Sequence, residues 1–243
     1  MPAWLIRPFR KVESTQSVAK LMAEEGAEEG LVVLAEEQEK GRGGYGRPWY
    51  SPKGGLWFSV LLRPNLPPKF INLVGLASAL SVAKAIESLY GIRTELKWPN
   101  DVVIGGRKVC GVMGEASVEP GRLVYVILGI GVNANFGKEE LPPMRLEATT
   151  LKDELGREVD RLQLLLSILE ELEVNYRRIG ERGLLDEIEG RLFGLGELAL
   201  VSTLEGEMEG RIKGIGEDGS IVLGTDGGDV SISYGTLRLK GKG

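Results

Sequence analysis

The sequence predicts an α+β protein: a large domain of mixed helices and apolar strands over residues 1–190, followed by a small β-barrel over residues 191–243. Three observations predict it. Dense apolar runs of strand length, LVVLAEE, LWFSVLLR and LVYVILGIGV, are bounded by Gly, Pro or Asn. Between and after them lie two long helical stretches, Ile71 to Tyr90 and Leu162 to Arg178. From Leu198 onward the texture changes to short β segments split by the turns Glu217-Asp218-Gly219 and Asp226-Gly227-Gly228.

Taken in order, Val12 to Gly26 reads as a strand end, a cap and a helix. Ser14 or Thr15 is the N-cap, Val18, Leu21 and Met22 form the buried face, and Gly26 stands at C′. Leu31 to Glu37 is a buried strand and Leu56 to Arg63 a second one. Ile71 to Tyr90 carries small and apolar residues on most faces, which predicts a buried helix ended by Gly91. Arg93 to Trp98 reads as a strand stopped by Pro99. Asp101 to Ile104 and Lys108 to Glu115 flank Gly105-Gly106 as a hairpin, and Leu123 to Val132 is a further strand. A second helical stretch follows Arg178 and runs to about Gly190.

Between the first two strands lies QEKGRGGYGRPWYSPKGGLWFS, Gln38 to Ser59, in which Arg42, Arg47, Trp49 and Trp57 are set among six glycines. Glycine lets backbone N–H groups approach a ligand, and arginine offers a fork of donors to phosphate or carboxylate. The stretch therefore reads either as a loop that closes on an anion or as a surface hairpin. Gly41, Gly43 and Gly46 spell G-x-G-x-x-G, but Pro48 and Pro52 forbid the helix that a dinucleotide fingerprint must open. No G-K-[ST] follows, and no H-R-D segment can exist.

The chain has no histidine and one cysteine, Cys110. That excludes Ser-His-Asp and Cys-His catalysis, the usual zinc sets and any intrachain disulfide. Chemistry here must run on carboxylates, lysines, arginines and backbone dipoles. A net charge of −5 offers no basic field for nucleic acid. The N-terminus lacks the apolar core of a signal peptide, and no run approaches the roughly 20 apolar residues of a membrane span, so a cytoplasmic location is expected.

Three segments carry candidate chemistry. KWPND would display Lys97, Asn100 and Asp101 at a sheet edge, or simply turn there; Asp101 could hold Mg²⁺ through its carboxylate. Lys108 follows the hairpin turn, either solvated or reaching an anion from beside a buried strand. GIGVNAN ends an apolar strand with two glycines and two asparagines, as a binding element or a tight turn. No nucleophile–base pair accompanies them, which favours activation of a substrate group by ATP.

GRGGYGRPWYSPKGGLWFS, KWPNDV, RKVCGVMGE and GIGVN, in this order, together with STQSVA at Ser14 to Ala19, resemble the biotin–protein ligases. The resemblance implies a class II synthetase-like mixed sheet backed by helices, with an SH3-like barrel after it. It implies two half-reactions: biotin and Mg-ATP give biotinyl-5′-AMP and pyrophosphate, then a lysine of a biotin carboxyl carrier protein takes the biotinyl group. By motif, Ser14, Thr15, Gln16 and Gln38 would bind the biotin head, with Gly43 and Gly44 beside it. Arg42 and Lys108 would serve the carboxylate and α-phosphate, and Lys108 ranks first for catalysis. Arg47, Trp49, Lys97, Asn100, Asn133 and Arg238 would serve ATP or the adenylate, and Asp101 the metal.

Two positions depart from the family's pattern. Gln16 stands for its usual asparagine, and Gly44 stands where G-R-G-R-x-G-R sequences carry a second arginine. One fixed cation is thereby lost, and weaker retention of biotinyl-AMP is expected. Some family members carry a helix-turn-helix before these motifs. The chain starts close to STQSVA, so no nucleic-acid partner is expected; homodimers are common in the family. A lipoate ligase, or a non-catalytic biotin-binding regulator, would be the alternatives.

Overall fold

The structure is a computed structural model and describes residues 4–142 and 147–241. Seven strands form one mixed sheet. They are β1 (Leu5–Val12), β2 (Leu31–Gln38), β3 (Leu56–Leu62), β4 (Glu95–Lys97), β5 (Asp101–Ile104), β6 (Arg107–Glu119) and β7 (Arg122–Val132). Their spatial order is β1-β2-β3-β7-β6-β5-β4; β1 runs parallel to β2 and every other pair is antiparallel.

The central strand β3 shows why LWFSVLL lacks alternation: every residue is buried, because both faces are covered. Leu56, Phe58, Val60 and Leu62 enter the main core beneath α2 (Ile71–Tyr90). Leu61 packs instead with Ala19 and Ala23 of α1 (Thr15–Glu24) on the other face. Helix α2 has the bounds its small-residue pattern predicts, and Gly91 ends it at φ 68°. It is long and apolar enough to cross a bilayer by composition, contrary to the sequence expectation. Here it lies against β6 and α4 (Arg161–Arg177), with most of its residues buried. Two shorter helices among the described residues are α3 (Leu151–Leu155) and α5 (Arg182–Glu189).

Helix α1 differs from the expected face. Leu21 is 56% exposed, whereas Thr15, Gln16, Ala19 and Ala23 are buried. Small residues let this helix lie close against β2 and β3, and its polar first turn points inward. Ser14 is the N-cap residue, yet its side chain makes no capping hydrogen bond; the Thr15 amide donates to Gln38 Oε1 instead, at 2.8 Å.

The small β unit expected after Leu198 is a five-stranded antiparallel sheet, ordered β11-β10-β9-β8-β12. Its strands are β8 (Leu198–Ser202), β9 (Glu207–Ile215), β10 (Ile221–Thr225), β11 (Gly228–Ile232) and β12 (Thr236–Leu239). Its inward residues, among them Ile212, Ile221, Leu223 and Leu237, join the same buried cluster as α2. Trp98 Nε1 donates to the Gly219 carbonyl across the contact at 3.0 Å.

Candidate active site

Antiparallel pairing places two rows of residues on the α1 face of the sheet. Ser59, Gly129 and Met113 form the first; Trp57, Gly131, Gly111 and Asp101 form the second, two residues further along each strand. At Gly129, Gly131 and Gly111 the floor has no side chains. A Cβ built on Gly129 would lie 3.2 Å from the Gln16 carboxamide, and one on Gly131 would lie 2.6 Å from Trp49 Nε1. The alternating glycines of GIGV thus make a flat strip on which larger planar groups rest.

One end of the strip is a polar pocket. Thr15 Oγ1 donates to Gln38 Oε1 at 3.0 Å and lies 2.8 Å from Ser59 Oγ. Gln38 Nε2 donates to Ser51 Oγ at 2.9 Å, and Gln16 Nε2 donates to the Met113 carbonyl at 3.1 Å. Ser14, Thr15, Gln16, Ser51 and Ser59 are all buried. Such a set offers donors and acceptors to a neutral polar head within an otherwise apolar wall.

The other end is cationic. Lys108 Nζ lies 2.5 Å from Asp101 Oδ1 and 4.9 Å from the centre of the Trp49 ring. Strict alternation would put Lys108 and Gly111 on opposite faces. A register shift between Val102 and Val103, where β5 meets β6, turns the Lys108 side chain over Gly111 instead. Its backbone is held as well: the Lys108 amide donates to the Glu147 carbonyl at 2.7 Å, and its carbonyl accepts from the Thr149 amide at 2.9 Å.

The glycine-rich stretch is a short hairpin over this end. Gly43 N donates to the Arg47 carbonyl at 2.7 Å, Trp49 N donates to the Gly41 carbonyl at 2.7 Å, and a 3₁₀ turn spans Gly44–Gly46. Arg42 is exposed, and its guanidinium makes no ion pair or hydrogen bond among the described residues. Arg47 Nε donates to the Gly44 carbonyl at 3.2 Å. Lys40–Glu13 and Lys11–Glu39 ion pairs of 2.9 and 3.0 Å fasten the base of the loop to the end of β1. These pairs are exposed and contribute little to stability.

The remaining candidates are spread more widely. Asn100 Nδ2 donates to the Val112 carbonyl, so its amide is engaged by the sheet. Asn133 is buried; its Nδ2 donates to the Thr149 carbonyl at 3.0 Å, while its Oδ1 is buried without a hydrogen-bond partner. Lys97 Nζ is 3.6 Å from Glu147 Oε2. Arg238 stands exposed on β12, in the second sheet. Asp101 is the carboxylate nearest Lys108, but no group of three His, Cys, Asp or Glu residues able to hold a metal exists among the described residues. Cys110 is wholly buried; burial pushes its thiol up, which removes it as a nucleophile.

Sequence reading missed Ser51, Ser59, Gly111 and the Glu147–Thr149 segment. Ser59 left a signal, being the one hydroxyl in an unbroken apolar strand. The others depend on pairings between distant parts of the chain.

Residues 9–133, which carry both ends of this strip, match the Biotin/lipoate A/B protein ligase family. The chain belongs to that family. Over 233 residues it is 35% identical to the bifunctional ligase/repressor BirA of Bacillus spizizenii, covering 94% of this chain and 72% of that one. It is 30% identical to the biotin–[acetyl-CoA-carboxylase] ligase of Mycobacterium tuberculosis, covering 92% of this chain and 85% of the other. Among solved structures, the biotin protein ligase from Aquifex aeolicus in complex with biotin and ATP superposes with a TM-score of 0.81 at 35% identity, covering 97% of this chain and 98% of that chain. The two-sheet arrangement is therefore that of a biotin/lipoate ligase-family protein.

Proposed function

We propose that this chain is a biotin–protein ligase, which activates biotin with ATP and transfers it to a lysine of a biotin carboxyl carrier domain. The carrying observation is the strip itself. A polar pocket at Thr15, Gln38 and Ser59 suits a neutral ureido head, and a cationic end at Lys108 suits the place where a carboxylate meets a phosphate.

In the first half-reaction a biotin carboxylate oxygen attacks the α-phosphorus of ATP. The bond to the bridging oxygen breaks, and pyrophosphate leaves with its electron pair. Two anions must meet, so the step needs positive charge at the point of contact. Lys108, fixed by its backbone and by Asp101, would supply that charge, and Arg42 on the glycine hairpin would add a second cation. In the second half-reaction the neutral amine of the acceptor lysine attacks the acyl carbon, the C–O bond to AMP breaks, and the amine gives up a proton as the amide forms. Trp49, lying over Gly131, would offer the adenine a flat surface.

The described donor set does not build a metal cage, but it fits an ion brought in on the phosphates, for which Asp101, beside Lys108, would be a carboxylate ligand. Magnesium would supply further neutralisation of phosphate charge. On this reading the chain works in the cytoplasm.

Incubation with Mg-ATP, a carrier domain, and either biotin or lipoate, read by intact mass, tests the proposal. The expected product is a single biotinyl adduct on one carrier lysine. Lipoyl transfer alone would point to the alternative ligase, and retention of biotin without transfer would point to a regulator. A second test concerns the pocket. Thr15→Val keeps the volume but leaves Gln38 Oε1 and Ser59 Oγ without the hydroxyl they share. It should raise the biotin KM by about tenfold with a smaller change in kcat, since one buried hydrogen-bond set is lost.

A further inference from the structure

The geometry points to Glu154 as a positioning residue for Lys108, acting through Thr149 and Arg107; the inference rests on the ligase reading above. Both backbone hydrogen-bonding groups of Lys108 are taken by one short segment outside the sheet's named strands, through the Glu147 carbonyl and the Thr149 amide. Among the described residues, the bridge between that segment and β6 is at Ala148 and Lys108.

Thr149 is what fixes it. The residue is fully buried, its carbonyl accepts from Asn133 Nδ2, and its hydroxyl donates to Glu154 Oε1 at 2.5 Å. The same Glu154 oxygen lies 2.7 Å from Arg107 Nη2, and the Glu154 side chain is only 13% exposed. One mostly buried carboxylate thus ties the residue before Lys108 on β6 to the residue that holds the Lys108 carbonyl. Glu154 is itself held in place by α3, where Thr150 caps the first turn by accepting from the Asp153 amide and Leu151 is buried.

Lys108 reaches Asp101 only because the shifted register aims it over Gly111. A small displacement of its backbone would therefore move Nζ away from both Asp101 and the strip. Displacements of this kind cost rate more than binding when the group acts on reacting atoms. Among the described residues the Glu154 carboxylate pairs with Thr149 and Arg107, neither on the strip, so it would position Lys108 without contacting substrate.

The test compares Glu154→Gln, Thr149→Val and Thr149→Ser with the parent protein. Two quantities are read: kcat and the biotin KM in biotin-dependent ATP–pyrophosphate exchange, and the rate at which Lys108 is acetylated in the ligand-free protein. Acetylation is normalised to Lys84, whose ammonium pairs with Glu171 and Glu187. Glu154→Gln and Thr149→Val should lower kcat roughly tenfold or more with the biotin KM within about threefold, and should speed Lys108 labelling severalfold as its Asp101 contact loosens. Thr149→Ser, which keeps the hydroxyl, should restore both. Unchanged Lys108 labelling in Glu154→Gln overturns the proposal whatever the activity does. So does faster labelling with kcat within twofold of an active parent. Absence of exchange in the parent protein would instead count against the ligase reading, and labelling alone would then decide the role of Glu154.

Discussion

Replacing Lys108 by alanine should lower biotin-dependent ATP–pyrophosphate exchange by about 10²–10³-fold while biotin binding stays within severalfold of the parent. The size follows from what Lys108 does and does not touch. Its ammonium lies at the Asp101 end of the glycine strip, 4.9 Å from the Trp49 ring centre, and away from the Thr15–Gln38–Ser59 pocket that would hold the uncharged head. Charge that develops between carboxylate and α-phosphate would lose its fixed cation, whereas contacts to the head would persist. The variant also leaves Asp101 without its partner, adding a negative charge where two anions must meet. Exchange assays with titration calorimetry of biotin check both halves. Activity within severalfold of the parent would remove Lys108 from the chemistry.

Introducing arginine at Gly44 should slow dissociation of biotinyl-AMP by about 10–100-fold, the worth of one or two charge-assisted hydrogen bonds. The family's loop pattern carries an arginine there, and this chain does not. The site accepts one. Gly44 is absent from the left-handed glycines of the chain, and a Cβ built on it meets nothing within 4 Å. Its neighbour Gly46, at φ 71°, would not take a side chain without strain. The added guanidinium would join Arg42 on the same hairpin. Release of labelled adenylate, followed by rapid dilution, measures the rate. No change would show that the loop's hold on the adenylate does not depend on a second cation.

Much of the fold was legible because each element agreed with its own local pattern. Helix α2 matches its predicted bounds, and the two turns in the C-terminal sheet fall where Glu217-Asp218-Gly219 and Asp226-Gly227-Gly228 stand. Only the end of strand β1, at Val12, is legible. LIRPFRKV shows no alternation, because it is an edge strand with most side chains in solvent, held by its parallel pairing with β2. Leu21 departs from its pattern for a related reason: the apolar face of an amphipathic helix predicts it inward, while the sheet takes small residues.

The site divides in the same way. Residue types and their order along the chain point to Lys108 and the glycine hairpin, and the resemblance adds Gln38. Geometry that depends on distant pairing was hidden: Thr15 with Gln38 and Ser59, the register shift that turns Lys108 over Gly111, and the segment around Thr149 that grips the Lys108 backbone. The resemblance named Asn100 for the nucleotide. Its amide here serves the Val112 carbonyl, a contact it would have to share or exchange on binding.

The most direct measurement is a crystal structure of the chain with biotin and a non-hydrolysable ATP analogue bound together. The expected result is the ureido ring among Thr15, Gln38 and Ser59, with the biotin carboxylate and the α-phosphate both within hydrogen-bonding reach of Lys108 Nζ and the Arg42 guanidinium closed over them. Both ligands bound well-ordered but remote from Lys108 and Arg42 would contradict it.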